Sequence, residues 1–162
     1  MLNRVKLLLL MLLLAAPLLI STGMYTLQAG IPEARVAKGE LLPELEPLQE
    51  WPLAWQATGE WWLVWVAEAD CNQRCEAQAD ELWRMHRALG READRVYRLR
   101  AGGSSELPGE KALPWLDVAP PWAVAGNTWL VDPEGRVVLA YDLNTPAAEI
   151  HRDLTRLLRI NR

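Results

Sequence analysis

From Leu7 to Pro32 the chain carries no charged residue. A run of that length must sit in lipid, be covered by protein, or be removed after synthesis. Residues 1–6 precede it as a short basic start containing Arg4 and Lys6. As a helix, Leu7 to Tyr25 would span about 28 Å, close to the hydrocarbon thickness of a bilayer. Pro17 is tolerated inside such a span. Two readings compete. One is a cleaved signal peptide, for which Ser21-Thr22-Gly23 makes a better cleavage site than Leu27-Gln28-Ala29, because Leu27 is large. The other is an uncleaved anchor over residues 7–25. Length favours the anchor, since the uncharged stretch exceeds a typical signal core. Arg4 and Lys6 then stay cytoplasmic and everything after the anchor faces outward, which in a bacterium is the periplasm.

The remaining sequence holds all 21 acidic residues and 15 of the 17 basic ones, a net of −6. Phosphate affinity comes from clustered Lys and Arg, so a body this acidic is a poor nucleic-acid binder. Two His and two Cys are too few, and wrongly spaced, for a zinc finger. No Walker-type or Rossmann-type glycine motif is present, which argues against nucleotide chemistry. At 162 residues, 51% hydrophobic and 23% charged, the chain suits one ordinary domain after its apolar start.

Residues 26–53 contain Pro32, Pro43, Pro47 and Pro52 among several Glu, and read as a stalk. The domain is expected over 54–162. Trp61 to Ala67 is the strongest strand signal, apolar on both alternations, as a central strand covered on both faces requires. A helix is predicted from about Asn72 to Leu89 and ends at Gly90. Arg95 to Arg100 reads as a second strand. Gly102 to Gly126 reads as a long connection with one helical turn near Leu116. Thr128–Val131 and Arg136–Tyr141 flank Asp132-Pro133-Glu134-Gly135 and predict a hairpin. Thr145 to Ile160 is amphipathic, with Ile150, Leu154 and Leu157 facing inward and Leu158 as a further candidate.

Cys71-Asn72-Gln73-Arg74-Cys75 is the chemistry-bearing motif. Residues four apart on a helix share a face, and their Cα atoms come within disulfide range if Cys71 occupies the non-helical cap. A helix N-terminus stabilises a thiolate, and Arg74 adds positive charge, opposed by Asp70 and Glu76. Three readings stay open: a reversible dithiol or a thiolate pair for a soft ion such as Cu(I), a structural bridge, and two unpaired thiols. A bridge closing so short a loop gains little chain entropy, which argues against a purely structural role.

A Trp-rich strand running into Cys-x-x-x-Cys, then far downstream an apolar strand ending in Asp-Pro-Glu-Gly and a second strand, resembles the Sco family. These are membrane-anchored thioredoxin-like proteins that assist copper delivery to, or thiol chemistry on, cytochrome c oxidase. The chain resembles more closely the small Sco-like membrane proteins encoded among bacterial haem–copper oxidase genes. The resemblance covers Trp61 to Ile160 and the anchor topology. It implies an α/β, thioredoxin-like sandwich, a central mixed sheet flanked by helices, with an N-terminal transmembrane helix. It also implies a single-pass inner-membrane protein whose domain is periplasmic. Its partner would be a respiratory oxidase subunit or assembly factor, met through Cys71 and Cys75 as catalytic dithiol. Three departures bear on that. Glu76 stands where Sco proteins have Pro after the second Cys. No His occurs in Val124 to Thr128, where their third copper ligand falls. Asn127 occupies the thioredoxin cis-Pro position. Copper is therefore expected at most as labile Cu(I) on Cys71 and Cys75. A scaffold that lost the chemistry and a general periplasmic thiol–disulfide oxidoreductase are the alternatives.

Other residues have plainer readings. His86 lies eleven residues beyond Cys75 on one helix, a rise of about 16 Å, and is expected in the core or half-buried. His151 is expected on the surface and Met85 in the core. Most of the nine Trp are expected to be core, with Trp115 and Trp122 covering the sheet in preference to forming a recognition surface. Arg152, Arg156, Arg159 and Arg162 recur along one helix face. That is either a solvated face or, as a lesser alternative, a contact for anionic lipid or an acidic partner.

Overall fold

The computed structural model describes residues 2–27, 37–41, 44–103 and 107–161. It separates into two units, one up to Val36 and one from Ala37 onward. The first contains helix α1, Leu2–Leu27, with Pro17 inside it. Its stretch Arg4–Met24 is long and apolar enough to cross a membrane.

The second unit is built on a five-stranded mixed sheet. Its strands are β1 (Trp61–Val66), β2 (Val96–Ala101), β3 (Glu110–Leu113), β4 (Thr128–Val131) and β5 (Val137–Tyr141), in the order β3-β2-β1-β4-β5. Helices α2 (Gln73–Ala88) and α3 (Ala147–Ile160) complete it. β1 runs parallel to β2 and antiparallel to β4, which places it centrally. Every residue of β1 is buried, as its unbroken apolar run predicts.

The two alternations of β1 serve different cores. Trp61, Leu63 and Trp65 pack with Ala79, Leu82 and Met85 of α2 and Ile150, Leu154 and Leu158 of α3. Both helices therefore lie on one face. Trp62, Val64 and Val66 pack on the other face with Leu48, Trp51, Leu53, Trp55 and Trp129. That second layer comes from the stretch read as stalk. From Ala37 to Leu53, so far as it is described, this stretch is built into the domain. Glu40 pairs with Ala140 as an extra rung on β5, and Leu53 pairs with Trp115. The prolines keep the stretch from being helical, but Leu48 and Trp51 between them are buried. Pro32 and Pro43 lie outside the described residues.

The Gly102–Gly126 connection also differs from expectation. It contains β3, which pairs parallel with β2, and has a bend in place of a helical turn near Leu116. Residues 104–106 of that connection lie outside the described residues. Glu-Lys-Ala-Leu lacks the β-branched and aromatic residues that mark a strand, so β3 gives no sequence signal. Trp115 and Trp122 do cover the sheet, half-buried against the second core. Trp122 packs at a tilt against Trp51, 4.5 Å between ring centroids, and edge-on against Trp129 at 5.7 Å.

Two polar devices tie the periphery to the sheet. Asp153 on α3 is buried and accepts hydrogen bonds from Lys38 N, Gly39 N and the Tyr141 hydroxyl. Burial, then the neighbouring Asp153 carboxylate, pushes the Tyr141 phenol well above its ordinary range. Arg95 donates to the carbonyls of Leu158 and Asn161, closing the C-terminal end of α3.

Candidate functional site

The central strand delivers the cysteines. After Val66 the chain leaves the sheet, with Ala67 N still bonded to Ala101 O, and bends through Glu68, Ala69 and Asp70 to Cys71. Asn72 then caps α2. Its Oδ1 accepts from Arg74 N at 3.0 Å and Cys75 N at 3.1 Å, while its Nδ2 donates to Glu68 Oε2 at 2.7 Å. The cap fixes where the helix starts. Cys71 stands outside the first turn and Cys75 inside it, with Cα atoms 5.2 Å apart and their sulfurs bonded. Cys71 is half-buried, whereas Cys75 packs into the core at 6% exposure. Of the two residues, Cys71 is the less buried.

The neighbouring loop is pinned beside Cys75. Gln78, one turn along α2, donates Nε2 to Gly126 O at 2.6 Å. Gly126 N bonds Val66 O, and Val66 N bonds Asn127 O. Gly126 has φ of +92°, and a Cβ there would come within 2.3 Å of Leu143, so glycine is required on both counts. Beyond the end of β1 lies a groove of about 410 Å³ whose lining includes Val66, Ala67, Ala69, Trp115, Ala123 and Ala125. Leu116, Val118 and Val124 stand exposed on the loop bordering it, Val118 at 90%.

The remaining expected candidates lie apart from this pair. Met85 is core. His86 is half-buried near the far end of α2, its Nε2 2.7 Å from Val96 O and 3.1 Å from Ala93 O. His151 is half-buried on α3 where a surface position was expected, and its Nε2 has no hydrogen-bond partner among the described residues. Among the described residues no three His, Cys, Asp or Glu side chains are grouped to hold a metal ion. Asn72 and Gln78 escaped the sequence reading. An Asx residue at the start of the predicted helix was a legible cap signal. The Gln78–Gly126 bond joins segments 48 residues apart, and no local pattern announces it.

A family model described as transmembrane-like, thioredoxin-like, C-terminal domain matches residues 61–161, from the first residue of β1 to the end of α3. The chain belongs to that family. This transmembrane-like thioredoxin-like domain is also similar in fold to solved Sco proteins. Apo Sco1 from Thermus thermophilus is 16% identical with a TM-score of 0.54, over 81% of this chain and 100% of that one. Copper-bound ScoI from Arabidopsis thaliana is 11% identical with a TM-score of 0.51, over 64% and 87%. Copper-bound yeast Sco1 is 14% identical with a TM-score of 0.50, over 62% and 77%. No curated protein matches the chain. The expected thioredoxin-like, Sco-like fold is thus the observed one.

The buried polar cluster beside β1 was also missed. Arg98 and Arg100 alternate along β2 on the helix side of the sheet, at 1% and 2% exposure. Glu110 of β3 pairs with Arg100 at 2.9 Å and lies 3.7 Å from Arg98. It also accepts from Trp65 Nε1 at 3.0 Å and from Leu107 N at 3.4 Å. Burial, and then the neighbouring Arg100 charge against the pull of Glu110, leaves the Arg98 guanidinium below its ordinary range.

Proposed function

We propose that the protein is a membrane-tethered, periplasm-facing accessory to the assembly or maintenance of a haem–copper respiratory oxidase. Cys71 and Cys75 act as a dithiol on cysteines of an oxidase subunit or assembly factor. The observation that carries this is the pair itself: a half-buried cysteine just before a helix start and a buried one four residues on, following the central strand. In the reduced state the Cys71 thiolate attacks a partner disulfide and one partner sulfur leaves as thiolate. Cys75 then attacks the Cys71 sulfur of the mixed disulfide, releasing the second partner thiolate, so two electrons pass to the partner. The reverse sequence oxidises a partner dithiol. The apolar groove begins at Val66, Ala67 and Ala69, the segment that leads from β1 to Cys71, and with the exposed Leu116, Val118 and Val124 it offers a partner segment an apolar surface.

Copper enters as cargo. The Arabidopsis and yeast relatives in fold were solved with copper bound. Two thiolates suit Cu(I), but Cu(II) wants imidazole, and the pair has none grouped with it among the described residues. The donor set therefore does not fit a resident Cu(II) centre. The reduced chain is expected to bind no stable Cu(II) and to surrender Cu(I) readily to a competing chelator. Cys71→Ser and Cys75→Ser should abolish even that binding. A tight 1:1 copper complex lost on His151→Ala would restore a copper-carrier role and overturn the dithiol reading.

In cells, Cys75→Ser should trap a mixed disulfide through Cys71. Recovery of an oxidase subunit or assembly factor on that bond supports the proposal. A broad spread of periplasmic proteins on it supports a general oxidoreductase. No adduct, with oxidase activity retained in the double Cys→Ser variant, supports a non-catalytic scaffold.

A further inference from the structure

Arg152, Arg156 and Arg159 are all exposed on α3. Their spacing sets the three within roughly 60° of one helical face. Two acids share the helix. Asp153 is buried and occupied by Lys38, Gly39 and Tyr141, and half-buried Glu149 stands in the first turn. Arg152 and Arg159 make no ion pair among the described residues. Ile160, at the end of the helix, is 72% exposed. This basic face belongs to a sequence that is otherwise acidic beyond Pro32. The chain from Leu27 to Ala37 reaches at most about 35 Å when fully extended. With α1 in a bilayer, the domain stays tethered near that surface.

We propose that this face of α3 docks on anionic phospholipid headgroups at the membrane surface where α1 emerges. Guanidinium forks match phosphate oxygens in geometry and charge. The acidic remainder of the domain is repelled by the same surface, so the field turns α3 toward the lipid. Ile160 adds an apolar contact at the headgroup boundary. Docking fixes the azimuth of the domain on its tether, which raises the effective concentration of Cys71 for partners embedded in the same membrane. The proposal rests on α1 as an anchor and is independent of the thiol chemistry.

The test uses the full chain in nanodiscs of phosphatidylcholine alone or of a phosphatidylcholine–phosphatidylglycerol mixture. A dye on Ala148→Cys, with the native disulfide left intact, reports energy transfer to headgroup-attached acceptors. Transfer should be higher in the anionic discs and fall to the neutral-disc level at high salt. In R152Q/R156Q/R159Q, and more so in R152E/R156E/R159E, the docked-to-undocked ratio should fall at least roughly tenfold. Equal transfer in the two lipids, or indifference to both triple variants, overturns the proposal. Lipid-independent binding of a polyglutamate peptide to this face would assign it to an acidic protein and also overturn it. A chain that fails to enter the discs overturns the anchor and this proposal together. Loss of docking by an incorporated chain leaves the anchor and the thiol reading standing.

Discussion

His86 carries no catalytic geometry, yet it is the side chain through which neutral pH reaches this fold. Its ring sits between the end of α2 and the start of β2, with Nε2 facing the carbonyls of Val96 and Ala93. Burial holds its pKa below the ordinary 6.5, and Arg98 pushes the same way, against the carbonyl bonds and Asp94. A pKa depressed in the folded state means that the unfolded chain binds the proton more readily. The stability is therefore present above about pH 6.5 and is lost as pH falls. The denaturation midpoint of the full chain in detergent should drop between pH 7 and pH 5. In His86→Gln that slope should flatten. An unchanged slope would place the titration elsewhere. Much of this residue was readable from its position on an apolar helical stripe, which implied half-burial. Its partners were not, because Ala93 lies in the short segment before β2 and Val96 is the first residue of β2, so both carbonyls depend on where β2 docks.

The elements divide by how locally their causes act. β1, α2, the β4–β5 hairpin and α3 follow from apolar period, caps and turn residues, and each lies within a few residues of its predicted bounds. The Cys motif likewise announced itself at the end of the strongest strand. β3 and the Ala37–Leu53 layer were not legible, for two different reasons. The layer is anchored by widely spaced buried residues, Leu48, Trp51 and Leu53, set among prolines and acids that dominate any window average. β3 is held by charge. Glu110 meets Arg98 and Arg100 across the β2–β3 pairing, and it accepts from Trp65 as well. Arginines on a strand read as solvent-facing until a carboxylate from a distant segment is placed beside them. Glu110→Gln removes that carboxylate and leaves two buried guanidiniums uncompensated, at a cost of about 3–5 kcal/mol. Chemical denaturation should show this loss. Arg98→Met/Arg100→Met/Glu110→Leu, which removes charge on both sides, should recover most of it. A small effect of Glu110→Gln would mean that β3 is held by its backbone pairing alone.

At the scale of the whole molecule the two units impose one demand on each other through topology. α1 carries Arg4 and Lys6 at its start, and the residues after Pro32 are net acidic. A span with basic residues on one flank is retained with that flank in the cytoplasm. The proposed topology would place the domain with its cysteine pair in a compartment where disulfides persist, whereas cytosolic thiols are kept reduced. The redox proposal thus stands on the orientation of α1. A reporter that is active only outside the cytoplasm, fused after Arg162, should be active in cells. Moving the charge should reverse this: Arg4→Glu/Lys6→Glu, with lysines placed after the span, should lower that activity and raise the signal of a cytoplasmic reporter at the same position. A chain whose native form reports from the cytoplasm would sit in a reducing compartment. The Cys71–Cys75 pair would then be held as thiols, and the exchange chemistry proposed for it would lose its oxidised state.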